Sequence, residues 1–378
     1  MQIKIDKLVE GGDGLGRLDN NKAVFVPGAL KDEIVEISII KETKSHAKAH
    51  LDNIVSASIH RVEPACSYYD ECGGCDLQHL EISEQVKSKQ ELLLNHLERF
   101  GKLDLSTIKV EETVIDREFG YRNRVRFHVD LNQKRVGFLK YGSKELIEIK
   151  HCPILVDALN YELANPVNIL KAARNNMFNN RGTGKYIEVP AFAGDNKNTY
   201  GKEKVSINIH NHEFIVNANV FFQSNPKMLE KLIEYVISNV GDGSVMDLYS
   251  GVGTFSAFLK EGTISVEKQS DCLTFSKINA PNSIPFTGEV ENWGKRRKDS
   301  VETIVVDPPR TGLFENVPHM LSSFNAKRII YVSCNPVTLS RDLEKFSEEG
   351  YKVKSVKLFD FYPQTHHMES VVILDRAN

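Results

Sequence analysis

From about residue 220 to the end of this 378-residue chain, helix-like and strand-like stretches alternate, and that alternation narrows the possible folds more than any other feature. A helix around 226–239 begins with Pro226 in its first turn, where a missing amide hydrogen costs little. Strand-like VMDLYS, helix-like TFSAFLKE, strand TISVE and helix LTFSKINA follow. Strands ETIVVD and RIIYVS, helix TLSRDLEKFSEE and the C-terminal stretches YKVKSVKLFDFY and MESVVIL complete the series. This predicts an α/β, doubly wound, Rossmann-like domain with mostly parallel strands and an antiparallel pair at its end. In such sheets ligands bind at the carboxyl ends of the strands. The chemically suggestive residues fall there.

The first half reads differently. Short alternating apolar stretches over residues 1–60, separated by GGDGLGRLDNN and PGALKD, predict a small β-barrel. A segment rich in cysteine, 65–79, precedes a helix over 83–100 that is expected to dock on the catalytic domain. Val86, Leu93, Leu97 and Phe100 fall on one face of that helix, with Ser83 as cap and Gly101 as stop. YRNRVRFHVD and KRVGFLKYG then read as paired strands. The expected division is a barrel at 1–60, a central α+β domain at 61–215 and a catalytic domain at 216–378.

Composition excludes several classes. With 41% hydrophobic and 26% charged residues, whole-chain disorder and low complexity are ruled out. No apolar run approaches the roughly 18 residues that cross a bilayer, and the N-terminus lacks a signal-peptide pattern. No membrane association is expected, and a cytoplasmic location is. In that setting six cysteines, four of them in one pattern, suggest metal or catalysis rather than disulfides. Net charge is −3, yet residues 117–150 hold nine Lys or Arg against four acids. Arg122, Arg124 and Arg126 lie at spacing two, so a strand presents them on one face. A solvated strand explains this equally well unless other features point to RNA.

Four motifs carry chemistry. DLYSGVGTF (247–255) is a strand followed by a glycine-rich turn, and Glu267 ends the next strand 14 residues after Gly253, where a carboxylate can accept from ribose hydroxyls. The third glycine of a dinucleotide fingerprint falls at Ser256, which favours a nucleoside ligand such as S-adenosylmethionine over NAD. VVDPPR (305–310) puts Asp307 at another strand end, with Arg310 where amino-methylating enzymes carry an aromatic residue. YVSCNP (331–336) puts Cys334 at a third. A lone cysteine is usually a small buried hydrophobe, but beside a methyl-donor site a thiolate adding to carbon-6 of uracil would activate carbon-5. A base must then remove the carbon-5 proton, and Glu369 in QTHHMES is available for it. Finally Cys66, Cys72, Cys75 and Cys152, spaced C-x5-C-x2-C with Cys152 after 76 further residues, suit tetrahedral zinc or a four-iron cluster.

Together these residues resemble the RNA uracil-5-methyltransferase family, closest to its 23S ribosomal branch, over essentially the whole chain. GGDGLGR…VFVPGAL is similar to its N-terminal TRAM domain, an RNA-binding barrel. The four cysteines are similar to its [4Fe–4S] site. FFQSN, DLYSGVGTF, SVE, VDPPRTGL, YVSCNPVTLSRDL and DFYPQTHHMESVVIL resemble its catalytic domain in order. The resemblance implies Cys334 as nucleophile and Glu369 as general base. It implies that Gln223, Tyr249, Glu267 and Asp307, with Thr254 and Glu289, bind S-adenosylmethionine. Ser250 and Met368 depart from the family pattern without touching a proposed catalytic group.

The expected activity is methylation of carbon-5 of a uridine in 23S ribosomal RNA by a monomer without a protein partner. The same chemistry on transfer RNA is a second reading. A noncatalytic RNA-binding protein is a third, which would require neither Cys334 nor Glu369.

Overall fold

The computed structural model describes residues 1–179, 185–297 and 300–377. The chain forms two compact units. The first comprises Met1–Leu92, Phe138–Ile147 and Tyr362–His367; the second comprises Leu93–Gly137, Glu148–Phe361 and Met368–Asn378.

In the first unit β1 (Gln2–Leu8), β2 (Gly14–Arg17), β3 (Ala23–Val26), β4 (Ile34–Glu42) and β5 (His46–Ser56) close a barrel in the order β1-β2-β3-β5-β4. The period of two sends Ile3, Ile5, Val24, Val26, Val35, Ile37, Ala47 and Ala49 into one core. The expected barrel is present.

The barrel also holds a carboxylate that no sequence pattern announced. Glu33, just before β4, is fully buried. It accepts from Leu30 N (2.8 Å), Ser58 N (3.2 Å) and two Arg61 guanidinium nitrogens (2.6 and 2.9 Å). Burial alone would raise its pKa, but the Arg61 and backbone hydrogen bonds outweigh it and hold the carboxyl below its ordinary value.

Helix α1 (Ile82–Arg99) covers the predicted span, but its buried face is different. Gln85, Lys89, Leu93 and Leu97 are buried at steps of four, whereas Val86 is only half-buried and Phe100 is 56% exposed. Phe100 lies past the last helical residue and stacks on the His96 ring, centroids 5.3 Å apart. Two polar residues hold inward positions because both find partners there.

Along the chain a short β6 (Lys109–Val110) precedes β7 (Arg124–Asp130) and β8 (Arg135–Leu139), which pair antiparallel as expected, and then β9 (Leu146–Glu148), with Phe138–Ile147 counted in the first unit. Helices α2 (Asp157–Ala164) and α3 (Val167–Asn179) lead to β10 (Ile187–Ala193), antiparallel to both β7 and β11 (Asn198–Thr199). A hairpin follows, β12 (Val205–Ile209) with β13 (His212–Val216).

The remaining elements build the α/β sheet. They are α4 (Pro226–Ser238), β14 (Val245–Leu248), β15 (Ile264–Glu267), α5 (Ser270–Asn279), β16 (Ile284–Thr287) and α6 (Val290–Trp293). Then come β17 (Thr303–Val306), α7 (Val317–Ser322), β18 (Arg328–Ser333), α8 (Pro336–Glu348), β19 (Tyr351–Phe359) and β20 (Glu369–Arg376). The order is β16-β15-β14-β17-β18-β20-β19-β6 among the described residues. The first five run parallel, and β20 is antiparallel to β18 and β19. Every residue of β14 and β17 is buried, the mark of strands covered on both faces.

One expected helix is absent. TFSAFLKE forms consecutive turns, with Phe258 N bonding Phe255 O and Ala257 N bonding Gly253 O. Mixed i−3 and i−4 bonds break the helical ladder, and Gly251 and Gly253, with φ of +55° and +86°, start the segment in left-handed backbone. Gly253 must stay small, because a Cβ there would lie 3.1 Å from Ser276 Oγ and 3.2 Å from Ala280 Cβ. No described helix is long and apolar enough to cross a membrane.

Candidate active site

Strand register gathers the candidate residues on one edge. Ser333 of β18 pairs with Ser370 of β20; Cys334 follows the first and Glu369 precedes the second, so both stand just beyond the last pair, at the same end of these strands. Val306 pairs with Tyr331 on one side and Leu248 on the other, which sets Asp307 beside the same edge. Cys334, Glu369 and Asp307 thus stand at neighbouring strand ends, where doubly wound sheets bind ligands.

The cofactor side begins at the turn after β14. Tyr249 adopts φ +63°, a strained conformation for a residue with a side chain. Its hydroxyl and that of Ser250 are buried without a hydrogen-bond partner. Glu267, at the end of β15, accepts from Gly251 N (2.9 Å) through one oxygen and from Gln269 N (2.6 Å) through the other. Each carboxylate oxygen keeps a lone pair for a ligand hydroxyl. Orphaned hydroxyls beside a backbone-anchored carboxylate are the donor and acceptor set a ribose and its purine need. The residues fit S-adenosylmethionine.

The other expected cofactor residues are distributed around this turn. Gln223 is buried, 6% exposed, two residues before the Asn225 cap of α4, and Thr254 is half-buried. Glu289 caps α6, its carboxylate held by Lys268 Nζ and by Asn292 Nδ2 (2.6 Å). Asp307 is pushed up to about 7 by burial and by the neighbouring Asp247.

On the catalytic side, burial and then the carboxylates of Glu369 and Asp307 push the Cys334 thiol up to about 12, while the Arg310 charge opposes them. Glu369 is 2% exposed, and burial followed by the Asp307 charge drives its pKa well above the ordinary carboxyl value. Arg310 again works in the other direction. The motif marks Arg310 only as standing in place of an aromatic residue; the fold shows that its charge reaches both groups.

The loop carrying Arg310 is locked to α8. Asn335 Nδ2 and Thr338 Oγ1 both donate to Arg310 O at 3.2 Å, and Leu313 N donates to Asp342 (2.7 Å). Gly312 has φ +70°, and a Cβ there would meet Asp342 Oδ2 at 2.6 Å and Arg341 Nη2 at 2.7 Å. Only glycine lets the loop pass this close.

The three strand-face arginines diverge. Arg124 donates to Ala218 O (3.3 Å) and Val220 O (2.8 Å), Arg122 Nε donates to Arg124 O (3.0 Å), and Arg126 pairs with Glu188 (3.0 Å) at the surface. Spacing predicted a shared face, but not that two of the three would bond backbone carbonyls.

Cys66, Cys72 and Cys75 belong to the first unit and Cys152 to the second, and all four are partly buried. Burial pushes the Cys66 and Cys72 thiols up, and charge on Cys66 adds to the shift of Cys72. Among the described residues no three His, Cys, Asp or Glu side chains are gathered as a metal-holding group. The donor type suits a cluster; the arrangement does not by itself form one.

With the fold and edge in view, comparison with known proteins becomes specific. The second unit carries the sheet of S-adenosylmethionine-dependent methyltransferases. A Pyrococcus abyssi tRNA (uracil-54, C5)-methyltransferase, solved with S-adenosyl-L-homocysteine, shares the fold at TM-score 0.77 over 99% of this chain and 100% of that one, with 21% identity. The TRAM domain profile matches residues 1–51, and that of tRNA (Uracil-5-)-methyltransferase matches 296–377. An uncharacterized RNA methyltransferase of Clostridium acetobutylicum is 32% identical across 100% of this chain and 97% of its own. A 23S rRNA (uracil(1939)-C(5))-methyltransferase of Shewanella halifaxensis is 30% identical across 100% and 96%. The chain therefore belongs to the RNA uracil-5-methyltransferase family, as an S-adenosylmethionine-dependent enzyme with an N-terminal TRAM domain.

Proposed function

We propose that this enzyme methylates carbon-5 of a uridine in 23S ribosomal RNA, with Cys334 as nucleophile and Glu369 as general base. The observation that carries this reading is that Cys334 and Glu369 flank the last β18–β20 pair, Ser333 with Ser370, and that the Glu369 carboxylate reaches the Cys334 thiol electrostatically. The Cys334 thiol loses its proton to solvent and its sulfur adds to carbon-6, leaving an enolate whose carbon-5 takes the methyl group. S-adenosylmethionine, when bound, supplies that group; Gln223, Tyr249, Thr254, Glu267, Glu289 and Asp307 line its site. Glu369 then removes the carbon-5 proton, the carbon-6–sulfur bond breaks, and Cys334 leaves as thiolate.

Attack from above the ring requires the uridine to be single-stranded or flipped from its stack. Arg122, Arg124 and Arg126 contribute positive charge for phosphate; the carbonyl bonds of Arg122 and Arg124 leave their charge in place, whereas Arg126 must exchange Glu188 for phosphate. The 23S relative, matched over nearly its full length, supports ribosomal RNA as target. The division 1–60, 61–215 and 216–378 assigns the barrel to RNA and the last part to catalysis, in a cytoplasmic monomer. Mapping 5-methyluridine in ribosomal and transfer RNA from cells with and without the gene tests the target. Loss of one 23S position is expected; loss in transfer RNA alone moves the substrate, and no loss at all rejects the activity.

Cys66, Cys72, Cys75 and Cys152 are proposed to hold a [4Fe–4S] cluster, supported by their thiolate-capable donors in the C-x5-C-x2-C spacing and by the electrostatic coupling of Cys66 with Cys72. Anaerobically purified protein should then be brown, with iron and sulfide in near-equal amounts. Colourless protein with stoichiometric zinc rejects the assignment.

A further inference from the structure

Glu369 opens strand β20, and the segment that delivers the chain to it is held from outside the sheet. Phe359 and Glu369 face each other across β19 and β20, so residues 360–368 form the loop that closes this rung. The start of the loop is fixed by Asn225 Nδ2, which donates to Phe361 O (3.1 Å). The middle, Tyr362–His367, packs within the first unit.

Gln85 in the first turns of α1 is 1% exposed and clasps Gln364 in both directions. Gln364 N donates to Gln85 Oε1 (2.9 Å), while Gln85 Nε2 donates to Gln364 Oε1 (3.0 Å), Leu77 O (2.9 Å) and Leu80 O (2.7 Å). Asp76 N and Leu77 N both donate to Gln364 O at 3.0 Å. One helical turn beyond Gln85, the buried Lys89 donates to Tyr362 O (3.1 Å). His366 is tied as well, its backbone N 3.2 Å and its Nδ1 2.7 Å from Asp76 Oδ2.

A six-residue segment thus has three of its residues bound by buried or half-buried polar groups, and Glu369 follows two residues after it. A solvated loop needs none of this. Burying an amide and an ammonium costs free energy unless they are bonded, and here the bonds converge on one short stretch.

We propose that Gln85 and Lys89 are positioning residues for Glu369: they fix the Tyr362–His367 loop, and so set the carboxylate for proton removal. This rests on the assignment of Glu369 as base. A base placed by the clasp is needed only after methyl transfer, so loosening the clasp slows that step selectively. Misplacing a catalytic group by even about 1 Å costs up to roughly a hundredfold in rate.

The test uses the full-length protein, a uridine-containing RNA and S-adenosylmethionine labelled in its methyl group. Gln85→Leu keeps the side-chain size and removes every hydrogen bond that the Gln85 side chain makes. It is expected to bind S-adenosylmethionine like the wild type and to complete the first methyl transfer. Release of methylated RNA should slow by about tenfold or more, so that a methyl-labelled protein–RNA adduct accumulates on a denaturing gel. Lys89→Met should show the same imbalance to a smaller extent, and it carries the comparison if Gln85→Leu does not fold. Wild-type release in both variants, or transfer and release falling in equal proportion, overturns the proposal. Glu369→Gln, run alongside, separates two failures. If it accumulates no adduct, the base assignment is wrong; if it does and the clasp variants do not, the clasp alone is rejected.

Discussion

The two units each bury a glutamate, and they treat it in opposite ways. Glu33 in the barrel receives four hydrogen bonds, two from the Arg61 guanidinium, and its pKa falls. Glu369 at the sheet edge is buried almost as deeply, but burial and the Asp307 charge outweigh the opposing Arg310 charge, and its pKa rises. A structural carboxylate is surrounded by donors because it must stay ionised and still. A carboxylate that has to pick up a proton is kept where ionisation is costly, so that receiving one is favourable. Burial alone would not tell them apart; the partners do.

The largest expected effect lies at the edge. Cys334→Ala removes the group that adds to carbon-6, so methyl transfer and covalent RNA adducts should both fall to background while S-adenosylmethionine still binds. A labelled-methyl assay beside a binding titration measures this, and residual methylation would contradict the covalent route.

In the barrel the loss is of folding, not chemistry. Glu33→Ala leaves the Arg61 charge without its carboxylate and two backbone amides unbonded, which should cost about 3–5 kcal/mol in denaturant unfolding. A cost below about 1 kcal/mol would show that the pair is not a structural anchor. Gly312→Ala comes next. It forces a side chain into left-handed backbone at about 1–2 kcal/mol, and it should displace the Arg310 loop and reduce kcat with little change in S-adenosylmethionine affinity.

The smallest effect sharpens the contrast most, because its sign differs between the units. The pKa of Glu33 is lowered by folding, so its stabilisation is present above the unfolded carboxyl value and lost as pH falls through the folded one. The pKa of Glu369 is raised, so folding is penalised increasingly as pH climbs above the unfolded value. Glu33→Gln should therefore lower Tm at pH 7–8, with the difference shrinking toward pH 4. Glu369→Gln should raise Tm at pH 8, and its difference should also vanish toward pH 4. Thermal scans of both variants across that range decide it.

How much of this could be read from the sequence follows the range of the interactions. Alternating strands and helices, the closed barrel and the placement of Cys334, Asp307 and Glu267 at strand ends depend on local period and on turn residues, and these were legible. Glu33 and Arg61 stand 28 residues apart, and no local pattern links them. Gln85 and Lys89 occupy inward helix positions where periodicity expects apolar residues, because their partners lie near residue 364, at the far end of the chain. TFSAFLKE carries a helical pattern, but left-handed glycines at its start and mixed hydrogen bonds make it a series of turns. The arginine spacing was seen, whereas the carbonyls that Arg124 bonds come from a segment about 95 residues later, at 218–220.

The central claim is that Glu369, buried and raised in pKa, is the base that acts after the methyl group has moved. Single-turnover reaction of Glu369→Gln with natural uridine RNA and methyl-labelled S-adenosylmethionine tests it most directly. The glutamine keeps shape and hydrogen bonding but cannot take the carbon-5 proton, so the thiol adds, the methyl group transfers and the reaction stalls. A slow-migrating, methyl-labelled protein–RNA band on a denaturing gel is the predicted result. Free 5-methyluridine RNA formed at the wild-type rate, with no such band, would contradict it.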